Sequence, residues 1–124
     1  MELRSTWPRK RKISNSDTHV DIGSLCEKKV LEDLRNRDCE ILAHRLRTFY
    51  AEIDILMRSP RGQIILLEVK SLSNFDWIDR RLSEKQLQRL KRAAQFLSSQ
   101  YDESIQLCIA FVFQNKVIYR NLDC

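Results

Sequence analysis

Apolar residues first recur at helical spacing: Ile22, Cys26, Val30 and Leu34, with Leu25 and Leu31 beside them. The pattern predicts an amphipathic helix from Asp21 or Gly23 to about Arg37. The period then shortens. Residues 39–48 (CEILAHRLRT), 52–57 (EIDILM) and 63–70 (QIILLEVK) predict three strands, and a polar stretch with aromatics covers 71–82. Ser83 with Gln86 three residues on is a capping-box signature. Leu87, Leu90, Ala94, Leu97 and Tyr101 continue it as a one-faced helix. Residues 106–113 (QLCIAFVF) and 116–122 (KVIYRNL) predict two more strands about Asn115. The order α-β-β-β-α-β-β is that of an α/β fold, a central mixed five-stranded sheet flanked by helices.

The turn between the second and third strands sets a register. Ser59-Pro60-Arg61-Gly62 carries the residue preferences of a type I turn. With Gly62 left-handed it closes a three-residue hairpin loop, so Ser59 opposes Gln63. Counting back from that pair, Asp54 faces Glu68, and alternation puts Asp54, Glu68 and Lys70 on one face of the sheet. Two carboxylates opposed in an antiparallel pair repel, and the preceding run Ile64-Ile65-Leu66-Leu67 implies a strand buried on both faces. Glu27 adds a third acid, because Val30, Leu31 and Leu34 stand at its i+3, i+4 and i+7 and place it on the apolar stripe of the first helix. Three converging acids beside one lysine call for a hard divalent cation, Mg²⁺ first and Mn²⁺ next. The plainer alternative leaves Glu27 at the stripe's edge, paired with an Arg or reaching solvent, and Asp54 and Glu68 on an exposed rim of the sheet.

Composition narrows the class. The chain has 124 residues, 43% hydrophobic, with two Gly and two Pro. That suits one domain with a core and excludes collagen-like or low-complexity chains. No apolar stretch approaches the length of a membrane span, and no apolar leader is seen, so a cytoplasmic location is expected. Cys26, Cys39, Cys108 and Cys124 with His19 and His44 show no zinc-site spacing, so free thiols are expected. The net charge of +5 is uneven: residues 1–20 carry +3, including Arg9-Lys10-Arg11-Lys12, and the rest +2. Residues 1–18 read as a flexible basic arm and 19–124 as one domain. A second basic cluster gathers Arg80, Arg81, Lys85, Arg89, Lys91 and Arg92 against Glu84. Such a cluster suits a polyanion, and equally a solvated helix face. Phe75 and Trp77 in the polar stretch are candidates to stack on bases or to plug a loop.

A carboxylate-held metal polarises a phosphoryl oxygen and lowers the pKa of a bound water, which is the chemistry of phosphodiester hydrolysis. Asp54 and Glu68 would ligate directly with the Val69 backbone carbonyl, and Glu27 would hold outer waters or a second ion. Lys70 would orient the nucleophile or stabilise the developing charge. Lys85, Arg89 and Arg92, with Arg80, Arg81 and Gln86 nearby, would contact nucleic acid. These residues resemble the PD-(D/E)XK nuclease-like superfamily, in Asp54 followed by Glu68-Val69-Lys70. More narrowly the chain resembles the small bacterial YraN-like family, fold relatives of archaeal Holliday junction resolvases. The matching pieces are Gly23 to Glu27, Glu52-Ile53-Asp54-Ile55-Leu56, Leu67-Glu68-Val69-Lys70, and Lys85-Gln86 with Arg89-Leu90 and Ala93-Ala94. The resemblance implies a restriction-endonuclease-like sandwich with Glu27, Asp54, Glu68 and Lys70 in active-site positions. It departs at Ala51, where the family has Gly, and around Ile105 to Leu107, where an Arg-Phe-Asp is replaced. The expected function is a divalent-metal-dependent DNA endonuclease, on branched or damaged DNA, with homodimerisation favoured by two-fold DNA. The alternatives are a catalytically silent nucleic-acid-binding module of the same fold and, third, a protein-interaction domain.

Overall fold

A computed structural model of the chain describes residues 22–72 and 82–122. The elements are α1 (Ile22–Asn36), β1 (Glu40–Arg47), β2 (Glu52–Arg58), β3 (Ile64–Ser71), α2 (Glu84–Tyr101), β4 (Ile105–Phe113) and β5 (Lys116–Asn121), in the expected order. One sheet runs β1-β2-β3-β4-β5, antiparallel except for the β3–β4 pair, which α2 connects as a parallel crossover. The basic arm, residues 1–18, lies outside the described residues, as do Arg80, Arg81, Phe75 and Trp77. Among the described residues no helix is long and apolar enough to cross a membrane.

The hairpin at Ser59 to Gln63 forms as its residues predict. Gly62 N–H donates to Ser59 O at 2.8 Å, Ser59 N–H to Gln63 O at 2.8 Å, and Gly62 has φ +94°. The β2–β3 ladder follows in that register, from Arg58↔Ile64 to Ile55↔Leu67.

The helices cover opposite faces of the sheet. Cys26, Val30, Leu31 and Leu34 of α1 pack on Ile55, Met57, Leu67, Ala110 and Val112. Leu90, Ala93, Ala94 and Leu97 of α2 pack on Leu56, Ile64, Leu66 and Leu107. Tyr119 on β5 donates to Asp33 Oδ2 at 2.6 Å and ties α1 to the far strand. Two residues of the α1 stripe stay outside the core: Ile22 and Leu25 are 66% and 52% exposed. They occupy the first turn of α1, and the core residues begin at Cys26. Cys26 is buried, Cys39 and Cys108 are half-buried, and all three are free thiols.

Ser83 is the N-cap of α2, its hydroxyl accepting from the Gln86 N–H at 3.1 Å. Ser83→Ala leaves that donor without its partner and is expected to lower stability by about 1 kcal/mol. Urea denaturation measures it through a shifted midpoint at unchanged slope.

Candidate active site

The β2–β3 ladder ends at Ile55↔Leu67, and the same register one residue further sets Asp54 opposite Glu68. There the Val69 N–H donates to Asp54 Oδ2 at 2.8 Å, so a side-chain carboxylate takes the place of a main-chain acceptor. Alternation along β3 sends Ile64 and Leu66 toward α2 and Leu67 toward α1, which leaves Glu68 on the α2 side. Gln86 in the first turn of α2 confirms the side, because its Nε2 donates to Glu68 Oε2 at 3.1 Å. The Ser83–Gln86 box is therefore half made. The Gln86 backbone takes the cap while its side chain serves the acid.

Glu68 is the one buried charged residue among those described, at 8% exposure. Burial, then the negative charge of Asp54, pushes its carboxyl up to about 8, against the pull of Lys70. Burial also raises Asp54, opposed by the Val69 N–H. A proton resides on Glu68 and is donated to Asp54, so the two acids form one coupled pair that holds a proton near neutral pH.

Glu27 departs from the expected convergence. Its side chain is 13% exposed, and Oε1 accepts from His44 Nε2 at 2.9 Å and from Arg45 Nε at 3.0 Å. An ionised carboxylate only accepts, so His44 carries its proton on Nε2 in this pair. Burial raises the Glu27 carboxyl, and the bonds from His44 and Arg45 outweigh it and hold it below its ordinary value. The physical reason is the layer it comes from: α1 lies on the sheet face opposite the one Glu68 uses. The Glu27 charge still reaches the pair and raises both acids. Among the described residues no three His, Cys, Asp or Glu side chains are gathered closely enough to hold a metal ion.

Two residues of this site are not marked by the sequence pattern. His44 reads there as an ordinary strand residue, and Arg45 as one of several surface cations. Arg45 takes φ +58° inside β1, a conformation a long side chain rarely adopts. From it the guanidinium reaches Glu27 and also Ser24 Oγ at 2.7 Å. Alternation along β1 indicates the face of His44, whereas no local signal marks Arg45 for the left-handed region. Lys85, Arg89 and Arg92 lie exposed along α2, while Lys70 is half-buried on β3.

Residues 26–114, which contain Glu27, Asp54, Glu68, Lys70 and Gln86, match the uncharacterised protein family UPF0102. The chain belongs to that family. UPF0102 is the YraN-like family that the sequence motifs resemble. A UPF0102 protein of Synechococcus sp. (strain JA-3-3Ab) is 35% identical over 95 residues, 73% of this chain and 69% of that protein. The UPF0102 protein tll1737 of Thermosynechococcus vestitus is 30% identical over 83 residues, 64% of this chain and 67% of that protein. Among solved structures, the EndoMS–dsDNA2 complex is similar at TM-score 0.47 and 17% identity, over 77% of this chain and 38% of that one. SSO0001 is similar at TM-score 0.44 and 10% identity, over 82% of this chain and 50% of that one.

Proposed function

We propose that this UPF0102 protein is a divalent-metal-dependent DNA endonuclease. The observation that carries the reading is the Asp54–Glu68 pair, a half-buried and a buried acid opposed just past the end of the β2–β3 ladder, beside Lys70. Opposed buried carboxylates destabilise a fold that has no other use for them. The donor set suits Mg²⁺ or Mn²⁺, which are commonly held by one or two carboxylates and keep several waters. Asp54, Glu68 and the Val69 carbonyl would be the direct ligands, while Glu27, held by His44 and Arg45, would add only its negative charge to the field at the pair. Bound there, the ion would polarise the scissile phosphate and acidify a water.

The protein's own part is positional and electrostatic. Gln86 fixes Glu68 through Oε2 and leaves Oε1 to ligate. To ligate a cation Glu68 would have to release the proton it holds. Lys70 faces the same side and stabilises the charge that develops on the phosphate. Lys85, Arg89 and Arg92 hold flanking phosphates, with an affinity that falls steeply with salt. A catalytically silent nucleic-acid-binding module is the second reading, favoured by the engagement of Glu27 with His44 and Arg45.

A labelled panel of duplex, single-stranded, flap and four-way-junction DNA, incubated with Mg²⁺ or Mn²⁺, separates the two. Cleavage of at least one substrate that stops in a chelator is expected. If every substrate is bound at low salt and left intact with either ion, the silent module is the correct reading.

A further inference from the structure

The outward face of α2 carries more than cations. Lys85, Arg89, Arg92 and Phe96 stand at i, i+4, i+7 and i+11, all exposed, and so form one narrow stripe along the helix. Phe96 is 39% exposed and meets Tyr50 at a ring-centroid distance of 6.4 Å, and Tyr50 meets Phe49 edge-on at 5.3 Å. Phe49 is 93% exposed.

The Phe49–Tyr50 turn between β1 and β2 is closed from within. The Thr48 hydroxyl donates to Ala51 O at 2.7 Å and accepts from the N–H groups of Ala51 at 3.0 Å and Tyr50 at 3.1 Å. The Thr48 N–H adds a fourth bond to Ala51 O at 2.9 Å. A turn with its polar groups satisfied in this way holds a bare phenyl ring in water at little ordering cost on binding. Water-facing rings at the end of a row of cations form the combination that binds unpaired nucleotides, phosphates on the cations and bases on the rings.

We infer that the Phe49–Tyr50–Phe96 cluster is a stacking platform for unpaired bases of a nucleic-acid strand whose phosphates follow Lys85, Arg89 and Arg92. The inference rests on the nuclease reading of the same site and names its substrate class, DNA with a single-stranded segment. Gln86, which contacts Glu68, and Phe96 are ten residues apart on α2. At 1.5 Å per residue that is about 15 Å. A stacked strand with a 3.4 Å repeat covers that span in roughly four nucleotides. The unpaired bases therefore lie a few nucleotides from the bond facing Asp54 and Glu68. Charge complementarity selects this occupant over a second copy of the chain, since two like stripes of cations brought together would repel.

The test is fluorescence anisotropy in chelator at low ionic strength, so that cleavage plays no part. The labelled probes are a single-stranded oligonucleotide, an abasic oligonucleotide of the same length, and a duplex. Wild type is expected to hold the single strand about tenfold more tightly than the abasic strand. Phe49→Ala, at a site too exposed to unfold the chain, is expected to lose about that factor on the single strand and none on the abasic strand or the duplex. Arg89→Ala is expected to weaken all three. Equal affinity of wild type for the single and abasic strands, or an unchanged Phe49→Ala, overturns the platform and leaves the nuclease reading standing. The platform is overturned in the same way if light scattering shows Phe49→Ala turning a dimer into a monomer with single-strand affinity intact. Failure of wild type to bind any of the three probes defeats the nuclease reading and this inference together.

Discussion

Asp54→Ala is expected to lower Mg²⁺-dependent DNA cleavage by about 10³-fold or more, because charge stabilisation by a bound cation contributes several kcal/mol and each decade of rate is about 1.36 kcal/mol. Asp54 accepts the Val69 N–H at 2.8 Å, accepts a hydrogen bond from Glu68, and stands just past the end of the β2–β3 ladder. Truncation to Ala also strands the Val69 N–H, at about 1–3 kcal/mol of stability. Asp54→Asn is the matched control, since it keeps an acceptor for Val69 and removes only the charge. Single-turnover cleavage of the best substrate, with melting curves on each variant, separates lost chemistry from lost fold. A rate within a few-fold of wild type in folded Asp54→Asn would remove this residue from the mechanism.

The second large effect is on stability. The Glu68 carboxyl stands at about 8 in the folded chain against an ordinary value of 4.5. The folded state therefore binds more protons than the unfolded one between those values, and stability falls as pH rises through that window. The contribution is fully present below about 4.5 and lost above about 8. Asp54, also raised, adds in the same direction. A gap of this size corresponds to about 5 kcal/mol. Glu68→Gln cannot titrate and can keep a bond with Gln86. It is expected to flatten the profile and to melt on the order of 10 °C above wild type in metal-free solution near pH 9. Urea or thermal melts across that range, in chelator, measure both. A wild-type profile that rises with pH over the window would contradict the assignment of the proton to Glu68.

The part of the site legible in the sequence came from strictly local rules. Ser59, Pro60 and Gly62 dictate one turn, the turn dictates the β2–β3 register, and the register dictates that Asp54 meets Glu68. Each step involves neighbours in the chain or in one ladder, where geometry leaves few choices. Glu27 lay beyond such rules. The helical period places it on the stripe of α1, but period does not reveal which face of the sheet the stripe covers, and α1 and Glu68 take opposite faces. Its partner Arg45 depends on a positive φ in a strand, which is imposed by tertiary structure against local preference. Gln86 shows an intermediate case. The capping signature located the helix start correctly, and of the two roles the sequence left open for the Gln86 side chain, cap partner or site residue, it takes the second by bonding Glu68. The aromatic cluster was invisible for another reason, since Phe96 and the Phe49–Tyr50 turn are distant in sequence and meet only because α2 crosses back over the sheet.

Calorimetric titration of Mn²⁺ and Mg²⁺ into the metal-free protein at neutral pH, repeated in two buffers of different ionisation enthalpy, addresses the acid pair itself. Binding with release of about one proton is predicted, because a ligating carboxylate must shed the proton that Glu68 holds. Both Asp54→Asn and Glu68→Gln should abolish the heat. Absence of binding by either ion, or binding that survives both substitutions with no proton released, would contradict the account.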